Sequence, residues 1–335
     1  MTRGRSTSRG ILGALADVLG GPYAGAARLR RWAYRQGVLH SHEAAVPVVC
    51  VGNLSAGGTG KTPMVAWVVK HLQQQGRRPA ILTRGYKAVG GLSEEAELLK
   101  ALTGAEVVVQ GDRVAGAAAA VAMGADVCVM DDGFQHLRLR RDFNMVLLDA
   151  TRPVGTLHCP PCGLLREGLW AIRDAQAVVL TRCDLADEEA LAAMERQVRS
   201  AAPGAVVARA LHRPVAVIDE AGTRRGTDAL AGRRVLAFCG LGNPGAFFRT
   251  LEGLGAVLGG TVSMGDHAAY SQAGLAGLEA RASAAGAEAR ITTEKDYVKL
   301  ARRGHGGTLW RLAVEIRFVA GERELTPKLD AAVSR

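Results

Sequence analysis

Short apolar runs recur through the first part of the chain at residues 46–51, 80–83, 106–109, 127–130, 145–149 and 177–181. Helix-compatible stretches such as 63–75 and 113–123 separate them. Strands alternating with helices predict a mainly parallel, doubly wound α/β sheet. Two later runs, 206–218 and 309–319, have extended character and bracket a further set of strand candidates at 234–239, 256–262 and 289–292. The organisation expected from this pattern is a large domain over 1–205 and a two-stranded linker over 206–227 and 308–320. A second, smaller α/β domain over 228–307 and a C-terminal tail over 321–335 complete it.

The 335 residues are enough for two domains with substantial cores, since 48% of them are hydrophobic. A net charge of +10 points to an anionic partner, and aromatic residues at 4% are too sparse for base stacking, so no nucleic-acid partner is expected. Six scattered cysteines suit a reducing compartment better than a disulfide framework. Near the N-terminus Ile11, Leu12, Leu15, Val18 and Leu19 share one helical face, followed by Arg28, Arg30, Arg31 and Arg35. That pattern fits a retained helix lying on an anionic membrane surface, and it equally fits a helix packed on the protein's own core.

The most informative segment is Val46-Pro-Val-Val-Cys-Val-Gly-Asn-Leu-Ser-Ala-Gly-Gly-Thr-Gly-Lys-Thr-Pro63, a strand running through a glycine-rich turn into a helix. This is the arrangement of a P-loop that grips nucleotide phosphates. Its departure from G-x-x-x-x-G-K-[ST] is Ser55 at the first position. Ala56, Gly57, Gly58, Thr59 and Gly60 are expected to supply backbone that wraps the phosphates, Lys61 can reach the β and γ oxygens, and Thr62 can ligate Mg²⁺. A second signal is Val127-Cys-Val-Met-Asp131-Asp132-Gly-Phe-Gln-His136. A strand ending in two carboxylates fits the place where P-loop enzymes hold the Mg²⁺ shell, with Asp131 or Asp132 serving the metal. Gln135 and His136 extend the polar rim of that cleft.

Gly52-Asn-Leu-Ser-Ala-Gly-Gly-Thr-Gly-Lys-Thr-Pro63, Arg84-Gly-Tyr86, Asp112-Arg113, Asp131-Asp-Gly-Phe-Gln-His136, Leu165-Arg-Glu167, Gly242-Asn-Pro244, Asp266-His267 and Thr292-Thr-Glu-Lys-Asp296 occur in one order. In this the chain resembles the tetraacyldisaccharide 4′-kinases, from about residue 11 to about residue 320. The resemblance implies ATP and Mg²⁺ as cofactors and a tetraacylated glucosamine disaccharide 1-phosphate, the lipid A precursor, as phosphoryl acceptor. It implies a peripheral protein on the anionic cytoplasmic face of the inner membrane, built as a P-loop domain with a smaller α/β domain on a two-stranded linker. By position it assigns catalysis to Lys61, Asp132, His267 and Glu94, the last standing where the family has an aspartate. Substrate contacts fall to Tyr86, Glu95, His136, Arg166 and Glu167. The competing reading of Glu94, Glu95 and Glu97 is the solvated first turn of a helix, and that of Arg166 and Glu167 is surface ion pairing.

Two other classes fit less well. Switch-type P-loop ATPases and GTPases carry a signature lysine where this chain has Ala56, and no base-reading module is evident. His158-Cys159-Pro-Pro-Cys162 offers too few ligands for a zinc site and is expected to have no catalytic role. Thr293 is expected to cap the helix that follows it.

Overall fold

The computed structural model describes residues 6–85, 93–152, 158–265, 270–301 and 308–334, and in the first helix the side chains from residue 20 onward. In chain order the elements are α1 (Ser6–Arg35), β1 (Val48–Asn53), α2 (Lys61–Gln74), β2 (Pro79–Thr83), α3 (Glu94–Thr103), β3 (Glu106–Val109) and α4 (Arg113–Ala122). Then come β4 (Val127–Asp131), β5 (Phe143–Asp149), β6 (Ala177–Thr181), α5 (Glu188–Ala201), β7 (Val206–Ile218), β8 (Arg224–Arg225) and β9 (Arg234–Cys239). The chain ends with α6 (Pro244–Gly253), β10 (Val257–Ser263), α7 (Gln272–Ala284), β11 (Ala289–Thr293), α8 (Glu294–Ala301), β12 (Leu309–Ala320) and α9 (Glu322–Val333). Two compact units result: residues 1–84, 105–211 and 318–335, and residues 85–104 with 212–317.

The first unit holds parallel strands in the order β7-β6-β5-β1-β4-β2-β3. All six residues of β1 are buried, as a central parallel strand covered on both faces requires. In register, Val51 lies opposite Asp131 on one side and Met145 on the other, and Asp149 lies opposite Thr181. The carboxyl ends of β1, β4, β5 and β6 therefore share one edge. The chain leaves β1 toward β2 on one side and later returns to β5 on the other, which makes that edge a topological switch point, the usual ligand crevice of open α/β sheets.

Gly52 sits where the loop after β4 crosses β1. A Cβ placed there would lie 2.6 Å from Phe134 Cβ and 3.0 Å from its backbone nitrogen. Gly52→Ala is accordingly expected to cost about 1–3 kcal/mol of stability through overpacking, read as a lowered urea midpoint at unchanged slope.

In the second unit the parallel order is β10-β9-β11-β12. Successive β9 residues face opposite sides: Val235, Ala237 and Cys239 pack with Phe247 and Leu251 of α6, Leu236 and Phe238 with Leu275 and Leu278 of α7. Helix α3 packs against α8 here. Residues 85–104, expected from sequence within the 1–205 domain, thus group with the second unit. Within the expected tail, Glu322–Val333 form α9. Its Leu325, Leu329 and Val333 are buried at helical spacing, and Asp330 accepts a 2.8 Å contact from His71 of α2.

Candidate functional site

Thr59 anchors the loop between β1 and α2 from two strands. Asn53 Nδ2 donates to Thr59 Oγ1 (2.9 Å), and Thr181 Oγ1, at the end of β6, donates to the Thr59 carbonyl (2.9 Å). On the opposite flank Ala56 N donates to Leu164 O and Arg166 N to Leu54 O, each at 2.7 Å, while Ser55 bridges to Leu165. Gly60 takes φ 90° at the N-cap of α2, a left-handed conformation that glycine adopts without a Cβ penalty. Lys61 and Thr62 follow as the first residues of the helix, so the helix's free N–H groups and its dipole face the same place as the lysine. An open cleft along the loop is bordered by residues 54–59, by Asp149 at the end of β5 and by Arg152 beyond it.

The strand β4 ends at buried Asp131, and the chain turns through Asp132 at φ 50°, an uncommon conformation for a residue with a side chain. That turn aims Asp132 back at the loop: its Oδ1 accepts from Arg166 Nη1 at 2.8 Å and lies 3.6 Å from Lys61 Nζ. Burial works to raise the Asp132 carboxyl, but Lys61 and Arg166 outweigh it and hold it below the usual carboxylate range. Asp132 is ionised at neutral pH. His136 is held neutral by burial and by nearby Arg113, its pKa lowered to about 4, so it offers an anion hydrogen bonding and no charge.

A further charge pair closes the same edge. Arg182, at φ 57°, donates to Asp149 Oδ2, and the other Asp149 oxygen accepts from Thr151 N and Oγ1.

The structure changes the task of two residues. Arg31, expected among the cations of a membrane-facing helix, is 1% exposed. Its Nε and Nη2 donate to the two oxygens of Glu167 (3.0 and 2.5 Å), Nη1 donates to Asp174 (2.8 Å), and Nη2 also donates to Phe134 O (3.2 Å). Glu167, expected to contact substrate, is buried with both carboxylate oxygens bound to this guanidinium. The sequence signal was present but hidden in a run of arginines. Gly20, Ala24, Ala27, Arg31 and Tyr34 follow i, i+3/i+4 spacing, and this is the inward seam of α1. Gly20 packs there against Cys159.

Glu94 and Glu95 open α3 in the second unit, behind an N-cap in which Ser93 accepts from Ala96 N. Glu94 is exposed and Glu95 half-buried. Tyr86 and His267 lie outside the described residues. Thr293 Oγ1 accepts from Asp296 N at 3.1 Å, as its capping assignment requires.

A family model described as tetraacyldisaccharide-1-P 4′-kinase matches residues 13–334. The chain belongs to the tetraacyldisaccharide 4′-kinase family. A tetraacyldisaccharide 4′-kinase of Geobacter metallireducens is 39% identical, with 96% of this chain and 97% of that relative aligned. One from Anaeromyxobacter sp. (strain Fw109-5) is 41% identical over 94% and 90% of the two chains. A crystal structure of "apo" form LpxK from Aquifex aeolicus in complex with ATP superposes with a TM-score of 0.72 at 27% identity, covering 97% of this chain and 99% of that one. The expected fold class, a mixed α/β protein with a large, mainly parallel sheet, holds. The β1–α2 loop of this chain has the geometry of a phosphate-binding loop at a helix N-terminus.

Proposed function

We propose that this 4′-kinase transfers the γ-phosphoryl group of ATP to the 4′-hydroxyl of a tetraacylated glucosamine disaccharide 1-phosphate, the lipid A precursor, at the cytoplasmic face of the inner membrane. The observation that carries the reading is the convergence of Lys61, Asp132 and Arg166 on one corner of the sheet edge, beside the loop that Thr59 anchors. In phosphoryl transfer charge spreads over the γ oxygens, so fixed cations and helix-end N–H groups lower the barrier by electrostatics. Lys61 and Arg166 supply that charge, and Asp132 orients both cations.

The donor set suits Mg²⁺. Thr62 Oγ1 and the carboxylates of Asp131 and Asp132 are hard oxygen ligands, and among the described residues no group of three or more His, Cys, Asp or Glu could hold a metal ion. Mg²⁺ typically takes one or two protein carboxylates and completes its shell with phosphates and water. Bound there, it would neutralise charge on the transferring phosphoryl group. The acceptor hydroxyl needs a proton acceptor, and Glu94 is assigned to it, with His267 as its second-unit partner and Tyr86, Glu95 and His136 contacting the sugar.

Labelled ATP and tetraacyl disaccharide 1-phosphate, with Lys61→Ala as control, test the assignment. Label should appear on the lipid with the wild type alone. Substrate-independent ATP hydrolysis without lipid label, from a folded wild type, would overturn it.

Among the described residues no helix is long and apolar enough to cross a membrane. Helix α1 does present Leu29 (64% exposed) and Trp32 (52% exposed) on the face opposite its inward seam, with Arg28 and Arg35 also exposed. Apolar side chains beside arginines suit an anionic bilayer surface. Replacing both Leu29 and Trp32 with serine is expected to weaken co-sedimentation with anionic phospholipid vesicles by about tenfold or more, since each buried side chain of this size contributes about 1.5–3 kcal/mol.

A further inference from the structure

We infer that Arg31 of α1 is a positioning residue for phosphoryl transfer, holding in register the two loops that carry Asp132 and Arg166. The inference rests on the 4′-kinase reading above. Its basis is where the guanidinium's hydrogen bonds go. Glu167, which takes two of them, is the neighbour of Arg166, and the Phe134 carbonyl, which takes another, stands two residues after Asp132. The guanidinium also lies over the Phe134 ring, 4.4 Å from its centroid. Gln135 ties the same two loops to the phosphate loop: its Nε2 donates to Asn53 O at 2.9 Å and to Glu167 Oε2 at 3.3 Å, and its Oε1 accepts from Arg166 Nη1 at 3.5 Å. The chain Arg31, Glu167, Gln135, Arg166, Asp132, Lys61 is thus continuous from α1 to the phosphate-binding lysine.

Anchoring α1 needs no arginine. The rest of the described seam is uncharged, with Gly20 buried and Ala24, Ala27 and Tyr34 half-buried, and an apolar side chain in place of a buried ion pair is often neutral or stabilising. What an apolar residue lacks is the fixed fork that binds a carboxylate and a carbonyl from two different loops at once. A loss of that fork displaces Arg166 and Asp132 relative to each other, and displacements of about 1 Å cost on the order of 10²-fold in rate.

Three variants separate positioning from anchoring. Arg31→Lys keeps the charge and removes the fork, and Glu167→Gln keeps the shape and removes the charge. Asp174→Asn alters an Arg31 partner on neither loop. Steady-state kinetics should show kcat reduced about 10²-fold in the first two, with KM for ATP within about threefold, and Asp174→Asn near wild type. Unchanged kcat in Arg31→Lys and Glu167→Gln, or an equal fall in all three, would overturn the inference and leave Arg31 as a helix anchor. Should Arg31→Lys fail to fold, Glu167→Gln decides by the same criteria. A wild type that transfers no phosphate to lipid refutes the kinase reading instead.

Discussion

Lys61→Ala is expected to lower kcat/KM for ATP about 10³-fold, which corresponds to about 4 kcal/mol of transition-state stabilisation. The size follows from the position of the charge. Lys61 opens α2 directly after Gly60, so the backbone that wraps phosphates also fixes the direction of its side chain. Alanine removes the charge and keeps the helix start, since its helix propensity is high. The fold should persist, since no part of the first unit's core depends on the ammonium, and circular dichroism should show a closely similar unfolding midpoint. The variant also leaves Asp132 with Arg166 as its remaining close cation. Because the two cations together depress the Asp132 pKa against burial, that carboxylate contributes stability above the usual carboxylate range and loses it as pH falls through the depressed folded value. Any stability gap between wild type and variant should therefore be present at neutral pH and close in acid. A kcat/KM within tenfold of wild type would remove Lys61 from the transition state.

Central strands such as β6 were legible because parallel strands buried on both faces leave unbroken apolar runs, and the partly exposed β3 and β7 also begin and end where their extended runs do. The phosphate loop was legible for a different reason: its chemistry needs glycines, a lysine and a hydroxyl at fixed spacing. Long-range pairing was not. Only its spacing from Gly20, Ala24 and Ala27 sets Arg31 apart from Arg28 and Arg30, and its partners Glu167 and Asp174 lie more than a hundred residues away. Residues 94–103 read as an amphipathic helix wherever they pack, so their grouping with α8 could not be taken from periodicity. Helix α9 was hidden by Pro327 and by charged residues around a narrow apolar seam.

Three of the catalytic assignments differ in what supports them. Lys61 and Asp132 stand on motif and geometry together, within one compact unit. Glu94 stands on its position in the family pattern, and the structure adds that it occupies the first turn of α3 with its side chain exposed. An acidic residue there is favoured by the helix dipole whatever its function, so stability data cannot identify the base. Kinetics can.

Glu94→Gln is expected to lower kcat by about 10²–10⁴-fold, the usual contribution of a general base, while KM for ATP stays within about threefold. Glutamine is nearly isosteric and keeps the Ser93 N-cap and the helix start, so what it removes is the ability to accept the hydroxyl proton. Glu94→Asp gives the complementary measurement. It restores the residue type that the family pattern has at this position and withdraws the carboxylate by about an ångström, a displacement that costs up to about 10²-fold where the surrounding site is built for glutamate. An aspartate variant far more active than the glutamine variant fixes the role on the carboxylate. Near-normal turnover in Glu94→Gln, combined with a large loss in Glu95→Gln, would move the base one residue along α3 and return Glu94 to the solvated first turn.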